Sequence, residues 1–112
     1  MSYKIAVIGD ADTVTGFSLA GVRHVHVHVS KEETLSKLRR FLMEGDVGLL
    51  LITHRVIEDL GEDFKLLMRT KGVLPVVLAI PDKTGYAPAV DELYELIKRA
   101  VGARVTEKIG GD

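Results

Sequence analysis

The sequence predicts an α/β fold in which four parallel strands form one sheet and each strand is followed by a helix. Three observations carry that expectation. Short apolar runs at residues 5–8, 47–52 and 74–80 are too brief for helices and suit strands buried on both faces. Segments whose apolar residues recur at three and four, the spacing of a helix face, alternate with the strands. Glycines at 9, 21, 45 and 72 fall where one element must stop and the next begin.

The elements follow in order. Residues 3–8 form the first strand and Gly9 ends it. Asp10, Asp12 and Thr13 offer side-chain oxygens to cap a helix over 13–20, and Gly21 closes that helix. Residues 22–29 alternate strictly, with His24, His26 and His28 on one face. A central parallel strand is apolar on both faces, so this one reads as an edge strand with a half-wet histidine face. Ser30 and Glu33 make a capping box for a helix whose Leu35, Leu38, Phe41 and Leu42 share one side. After the central strand at 47–52, a helical region begins near Thr53 and carries Val56, Ile57, Leu60, Phe64, Leu67 and Met68. Gly61 is expected to kink or split it. The fourth strand, 74–80, tolerates Pro75 at its start.

Residues 81–88 hold two prolines and a glycine and read as a turn-rich linker. Pro88 suits the first turn of a last helix. Val90, Leu93, Tyr94, Ile97, Ala100 and Val101 give that helix one unbroken apolar stripe, over about 21 Å from 88 to 101. Asp91 and Glu92 near its start and Lys98 and Arg99 near its end match the helix dipole. The expected organisation is a globular domain over 1–81, a hinge at 82–87, an amphipathic helix over 88–102 and a mobile tail over 103–112. A strand order of 2-1-3-4, with helices on both faces, leaves the histidine strand at an edge. This is a small Rossmann-like, receiver-like architecture.

Composition narrows the function. The 112 residues are 46% hydrophobic, with three Phe, three Tyr and no Trp, so one aliphatic core is expected. A net charge of −1 speaks against a nucleic-acid binder. The absence of cysteine removes disulfides and thiolate metal sites. No run approaches the roughly 20 apolar residues of a membrane span, and no signal-peptide pattern opens the chain. An intracellular domain without direct membrane insertion is expected.

The strand ends are where chemistry would lie. Asp10-x-Asp12-x-Val14 superficially matches the paired aspartates of Mg²⁺-dependent haloacid-dehalogenase-type phosphatases. Gly9 separates the strand from the first aspartate, however, and no later strand end supplies a second acidic pair. A response-regulator receiver needs an aspartate phosphoacceptor after strand three, where this chain has Ile52-Thr53-His54. The glycines at 9, 16 and 21 fit neither a dinucleotide fingerprint nor a phosphate loop. Successive histidines on the 24–28 strand would stand about 6.5–7 Å apart, awkward for three ligands on one ion. His54 reads as a helix-start residue. No catalytic, metal or cofactor set is expected.

The run from Ile5 to Val22, with its Gly9-Asp10-Ala11-Asp12 turn and Gly16-Phe17-Ser18-Leu19-Ala20-Gly21 helix end, resembles the opening of the F subunit of V-type and archaeal A-type rotary ATPases. Residues 74–83 are similar to that family's fourth strand and hinge. The likeness spans essentially the whole chain, although Ser18 stands where many members carry arginine. The resemblance implies a non-catalytic subunit of the central stalk that pairs with the coiled-coil D subunit and turns inside the ring of A and B subunits. It would couple ATP synthesis or hydrolysis to H⁺ or Na⁺ movement, as a peripheral component on the cytoplasmic side of the membrane. The expected partner-binding residues are Phe17, Leu19, Val90, Leu93, Tyr94, Ile97 and Val101. A receiver-like signalling adaptor and, more remotely, a small Mg²⁺-dependent phosphatase are the alternatives.

Overall fold

In the computed structural model, which describes residues 3–85, the apolar runs pair as a single parallel sheet. Its strands are β1 (Lys4–Gly9), β2 (His24–Val27), β3 (Val47–Thr53) and β4 (Val76–Ile80), and they lie in the order β2-β1-β3-β4. Ile8 pairs with His26 on one side and with Ile52 on the other, and Ile52 pairs in turn with Ala79. The chain alternates these strands with α1 (Ala11–Leu19), α2 (Lys31–Met43), α3 (His54–Leu60) and α4 (Glu62–Thr70). The expected fold class is the observed one. The expected helix over 88–102 and the tail beyond it lie outside the described residues.

The strand period sorts side chains between two faces. Ala6, Ile8, Leu50, Ile52 and Val77 point to one face and pack with Leu35, Leu38 and Phe41 of α2, Val56 and Leu60 of α3, and Phe64 of α4. Phe41 is 2% exposed, and burying a side chain of this size contributes about 1.5–3 kcal/mol. Its ring meets His24 edge-on, centroids 6.5 Å apart, while Lys37 Nζ lies 5.3 Å from the ring centre. On the opposite face, Val7 and Val14 of α1 are buried, but the cover is thinner. Ile5 remains 43% exposed there, and Val76, Leu78 and Ile80 are half-buried.

Helix ends follow the capping chemistry, with one shift. Helix α1 begins at Ala11, earlier than expected, because Asp10 alone caps it: its carboxylate accepts from Thr13 N–H at 3.1 Å and Thr13 O–H at 2.6 Å. Gly21, at φ +110°, ends the helix. Its N–H donates to the Ser18 carbonyl and that of Val22 to the Phe17 carbonyl, each at 3.0 Å, the paired bonds of a Schellman cap. Ser30 accepts from Glu33 N–H, as the capping box requires. Gly61, at φ +59° and ψ −130°, splits the long helical region into α3 and α4. Pro75 is buried just ahead of β4, and Pro81 follows that strand directly.

Candidate functional site

In an open α/β sheet, function gathers where the strand order reverses, at the carboxyl ends of the strands. Here that point lies between β1 and β3. Asp10 and Asp12 follow β1, Thr53 ends β3, His54 and Arg55 open α3, and Asp82, Lys83 and Thr84 follow β4. Five of these side chains pair with one another. Arg55 Nε donates to Asp82 Oδ2 at 2.7 Å. Asp82 Oδ1 accepts from Thr84 N–H at 2.9 Å and from its hydroxyl at 2.5 Å. Lys83 Nζ pairs with Asp12 Oδ2.

The electrostatics follow from these bonds. The Thr13 hydroxyl holds the Asp10 carboxyl below the usual aspartate range, against the effect of its partial burial. The Asp12 bond and charge, with Asp10 and Asp82 nearby, raise the Lys83 ammonium above the ordinary lysine value. Thr53 is buried, and its hydroxyl faces the Val56 amide at 3.5 Å. Where a phosphoacceptor carboxylate would stand, the chain therefore has a helix cap. Asp12 is engaged by an ammonium group, and Asp10 caps α1. His54 is 1% exposed, and its Nε2 has no hydrogen-bond partner among the described residues. Burial lowers its basicity, so the ring stays neutral near pH 7.

The histidine strand corrects an expectation. Residues 24, 26 and 28 do not form a wet outer face; they lie beneath α2. Thr34, fully buried, places its hydroxyl 3.1 Å from His26 Nε2 and 2.7 Å from His28 Nδ1. His28 Nε2 lies 3.0 Å from Asp59 of α3. Of the valines in the same alternation, Val25 is half-buried, while Val27 is 38% and Val29 80% exposed. The His26 and His28 rings pack here because a hydroxyl and a carboxylate meet their nitrogens, while His24 meets the Phe41 ring edge-on. Among the described residues, no group of three or more His, Asp or Glu side chains is arranged to hold a metal ion.

The expected partner-binding residues divide. Leu19 is 85% exposed at the end of α1, and Phe17 is half-buried on the same helix. Val90, Leu93, Tyr94, Ile97 and Val101 lie outside the described residues. Sequence reasoning missed Thr34, Asp59, Arg55 and Asp82. Only Asp82 carries a local signal, since Asp-x-Thr-Gly is a turn pattern.

Comparison with known proteins agrees with this architecture. Residues 5–97 match the family model of the ATP synthase (F/14-kDa) subunit. The A-type ATP synthase F subunit of Pyrococcus furiosus is 40% identical over 106 residues, covering 91% of this chain and 97% of its own length. That of Methanothermobacter thermautotrophicus is 37% identical over 108 residues, 96% of this chain and all of its own. The crystal structure of the V-type ATP synthase F subunit from Archaeoglobus fulgidus superposes with a TM-score of 0.59 at 26% identity, covering 71% of this chain and 99% of that one.

Proposed function

Because the chain belongs to the ATP synthase (F/14-kDa) subunit family, we propose that it works as a non-catalytic rotor subunit in the central stalk of an A/V-type ATP synthase. In this reading it binds the coiled-coil D subunit, turns within the ring of A and B subunits, and helps couple ATP synthesis or hydrolysis to H⁺ or Na⁺ transport. It sits peripherally on the cytoplasmic side of the membrane; among the described residues no helix is long and apolar enough to cross one.

The observation that carries this reading is the saturation of the strand-end edge. Asp10, Asp12 and Asp82 are each committed to a cap or an ion pair, and Thr53 stands at the end of β3. That favours binding over phosphoryl chemistry, and so favours the rotor over a phosphatase or a phosphorylated receiver.

Two apolar groups are the contact surfaces in this reading. Exposed Leu19 and half-buried Phe17, both near the end of α1, supply one. The stripe Val90, Leu93, Tyr94, Ile97 and Val101 of the C-terminal segment forms the other. An isolated helix of that length is marginal in water, so its stripe needs a seat. The thinly covered sheet face, with Ile5 and the outer residues of β4, offers one within the domain; the stalk and the ring offer another. A shift between them depends only on the difference in binding free energy. The test is co-expression with the coiled-coil D subunit. Leu19→Asp together with Phe17→Ala should abolish co-purification while the isolated chain still folds. Assembly of that double variant at wild-type yield would remove the α1 contact, and failure of the wild-type chain to assemble would remove the rotor reading.

A further inference from the structure

The expected hinge at 82–87 opens on a segment that is tightly held. Residues 82–85 form one turn, in which Gly85 N–H donates to the Asp82 carbonyl at 2.9 Å and Gly85 adopts φ +78°. The Asp82 side chain is 6% exposed. One of its oxygens holds Thr84 through both the amide and the hydroxyl, and the other receives the Arg55 guanidinium. Arg55 Nη2 also reaches Thr84 Oγ1 at 3.5 Å. Lys83, between them, pairs with Asp12 in the first turn of α1. The exit from β4 is thus tied to the helix that follows β3 and to the helix that follows β1.

We propose that Arg55 and Asp82 are positioning residues, a latch that makes residues 81–84 a rigid extension of the sheet and sets the pivot of the C-terminal segment no earlier than Gly85. This rests on the reading that the segment over 88–101 changes its seat. Two features favour it. Ion pairs between fully exposed side chains contribute little, but a nearly buried carboxylate with several donors is a strong geometric constraint. In that reading a helix over 88–101, about 21 Å long, also magnifies any looseness at its base: a tilt of about 20° there moves its far end by about 7 Å. Lys83–Asp12, exposed on both sides, is the weaker arm and steers more than it holds.

The test uses the full-length chain. Amide hydrogen exchange at Thr84 and Gly85 should be at least tenfold slower than in an unstructured peptide. Asp82→Ala should remove that protection at both amides while the β1 and β3 amides keep theirs. Arg55→Ala removes a largely exposed side chain and leaves the core intact, so it reports on the latch even if Asp82→Ala unfolds; it should speed exchange several-fold at Thr84. Wild-type exchange at the unstructured rate, or an unchanged rate in Arg55→Ala, overturns the latch. Because the chain has no cysteine, spin labels can be placed at Ser36→Cys and Lys98→Cys in the assembled complex. Arg55→Ala should broaden their distance distribution, and an unbroadened distribution refutes the assigned pivot. Failure of the wild-type chain to assemble would sink the rotor reading and leave the exchange result standing.

Discussion

Thr34→Val removes one oxygen from the packed seam between β2 and α2 and leaves the side chain's shape nearly unchanged. Thr34 is fully buried and its hydroxyl joins two rings, at 3.1 Å to His26 and 2.7 Å to His28. A hydroxyl has one proton to give. In the His28 tautomer whose Nε2–H donates to Asp59, Nδ1 is an acceptor. The consistent arrangement then has His26 Nε2–H donating to Thr34 and Thr34 O–H donating to His28 Nδ1. Valine breaks both links. At about 0.5–1.5 kcal/mol per lost bond the cost is about 1–3 kcal/mol, and His26, half-buried beneath α2, recovers little from water. For a domain of this size a loss of about 2 kcal/mol lowers the melting temperature by about 8–16 °C. Thermal and urea unfolding of the full chain measure this, with Thr34→Ser as the control. Serine keeps the hydroxyl and gives up one methyl, for about 1 kcal/mol. If valine proves as stable as wild type, or less harmful than serine, the hydroxyl does not hold the strand to the helix.

Other outcomes follow from the same structure. Burial, reinforced for His26 by Lys37 and His28, depresses the His26 and His54 basicities below the ordinary histidine value. The unfolded chain therefore takes up protons that the folded one refuses, so stability is complete above about pH 6.5 and falls as pH drops below it. Urea midpoints measured from pH 7.5 to 5 should decline, and His54→Phe should flatten the decline. Asp10, whose folded carboxyl is depressed by Thr13, stabilises above about pH 3.9 and loses that effect as pH falls through the folded value; Asp10→Ala should cost about 1 kcal/mol at pH 7, read by urea unfolding, whereas Asp10→Asn should be nearly neutral. Gly61→Ala forces a side chain into φ +59°, ψ −130° and should cost about 1–3 kcal/mol in the same assay.

What the sequence discloses is what local order determines. The runs at 5–8 and 47–52 have to be strands, Ser30 with Glu33 has to start a helix, and Gly61 has to interrupt one. The family resemblance, carried by residues 5–22 and 74–83, agrees with the match over residues 5–97. The histidine strand departs from expectation because alternation separates two faces without saying which is packed. Valine is the more apolar residue, and apolarity alone would turn it inward. The deciding partners are Thr34, 6 residues from His28, and Asp59, 31 residues away, and no local pattern announces them. Arg55 reaches Asp82 across 27 residues, so only the turn half of that contact is visible locally. Asp12 resembles a cap because it lies beside Asp10, and the fold gives it to Lys83 instead.

The two outer strands are short. Among the described residues β2 spans four residues and β4 five, and β4 lies between Pro75 and Pro81. Proline has no amide proton to donate, so a strand from another molecule that approached this border would find a ladder ending on either side after a few rungs. Such a border is a poor template for edge-to-edge polymerisation, even though the strand itself is Val-Val-Leu-Ala-Ile. It also limits how a neighbour can be gripped. Sheet extension, which welds a sheet to foreign backbone through main-chain hydrogen bonds, finds only four or five rungs at these two described strands. Side chains on helices, such as exposed Leu19 of α1, are the other kind of grip, and contacts of that kind release far more readily than a shared ladder.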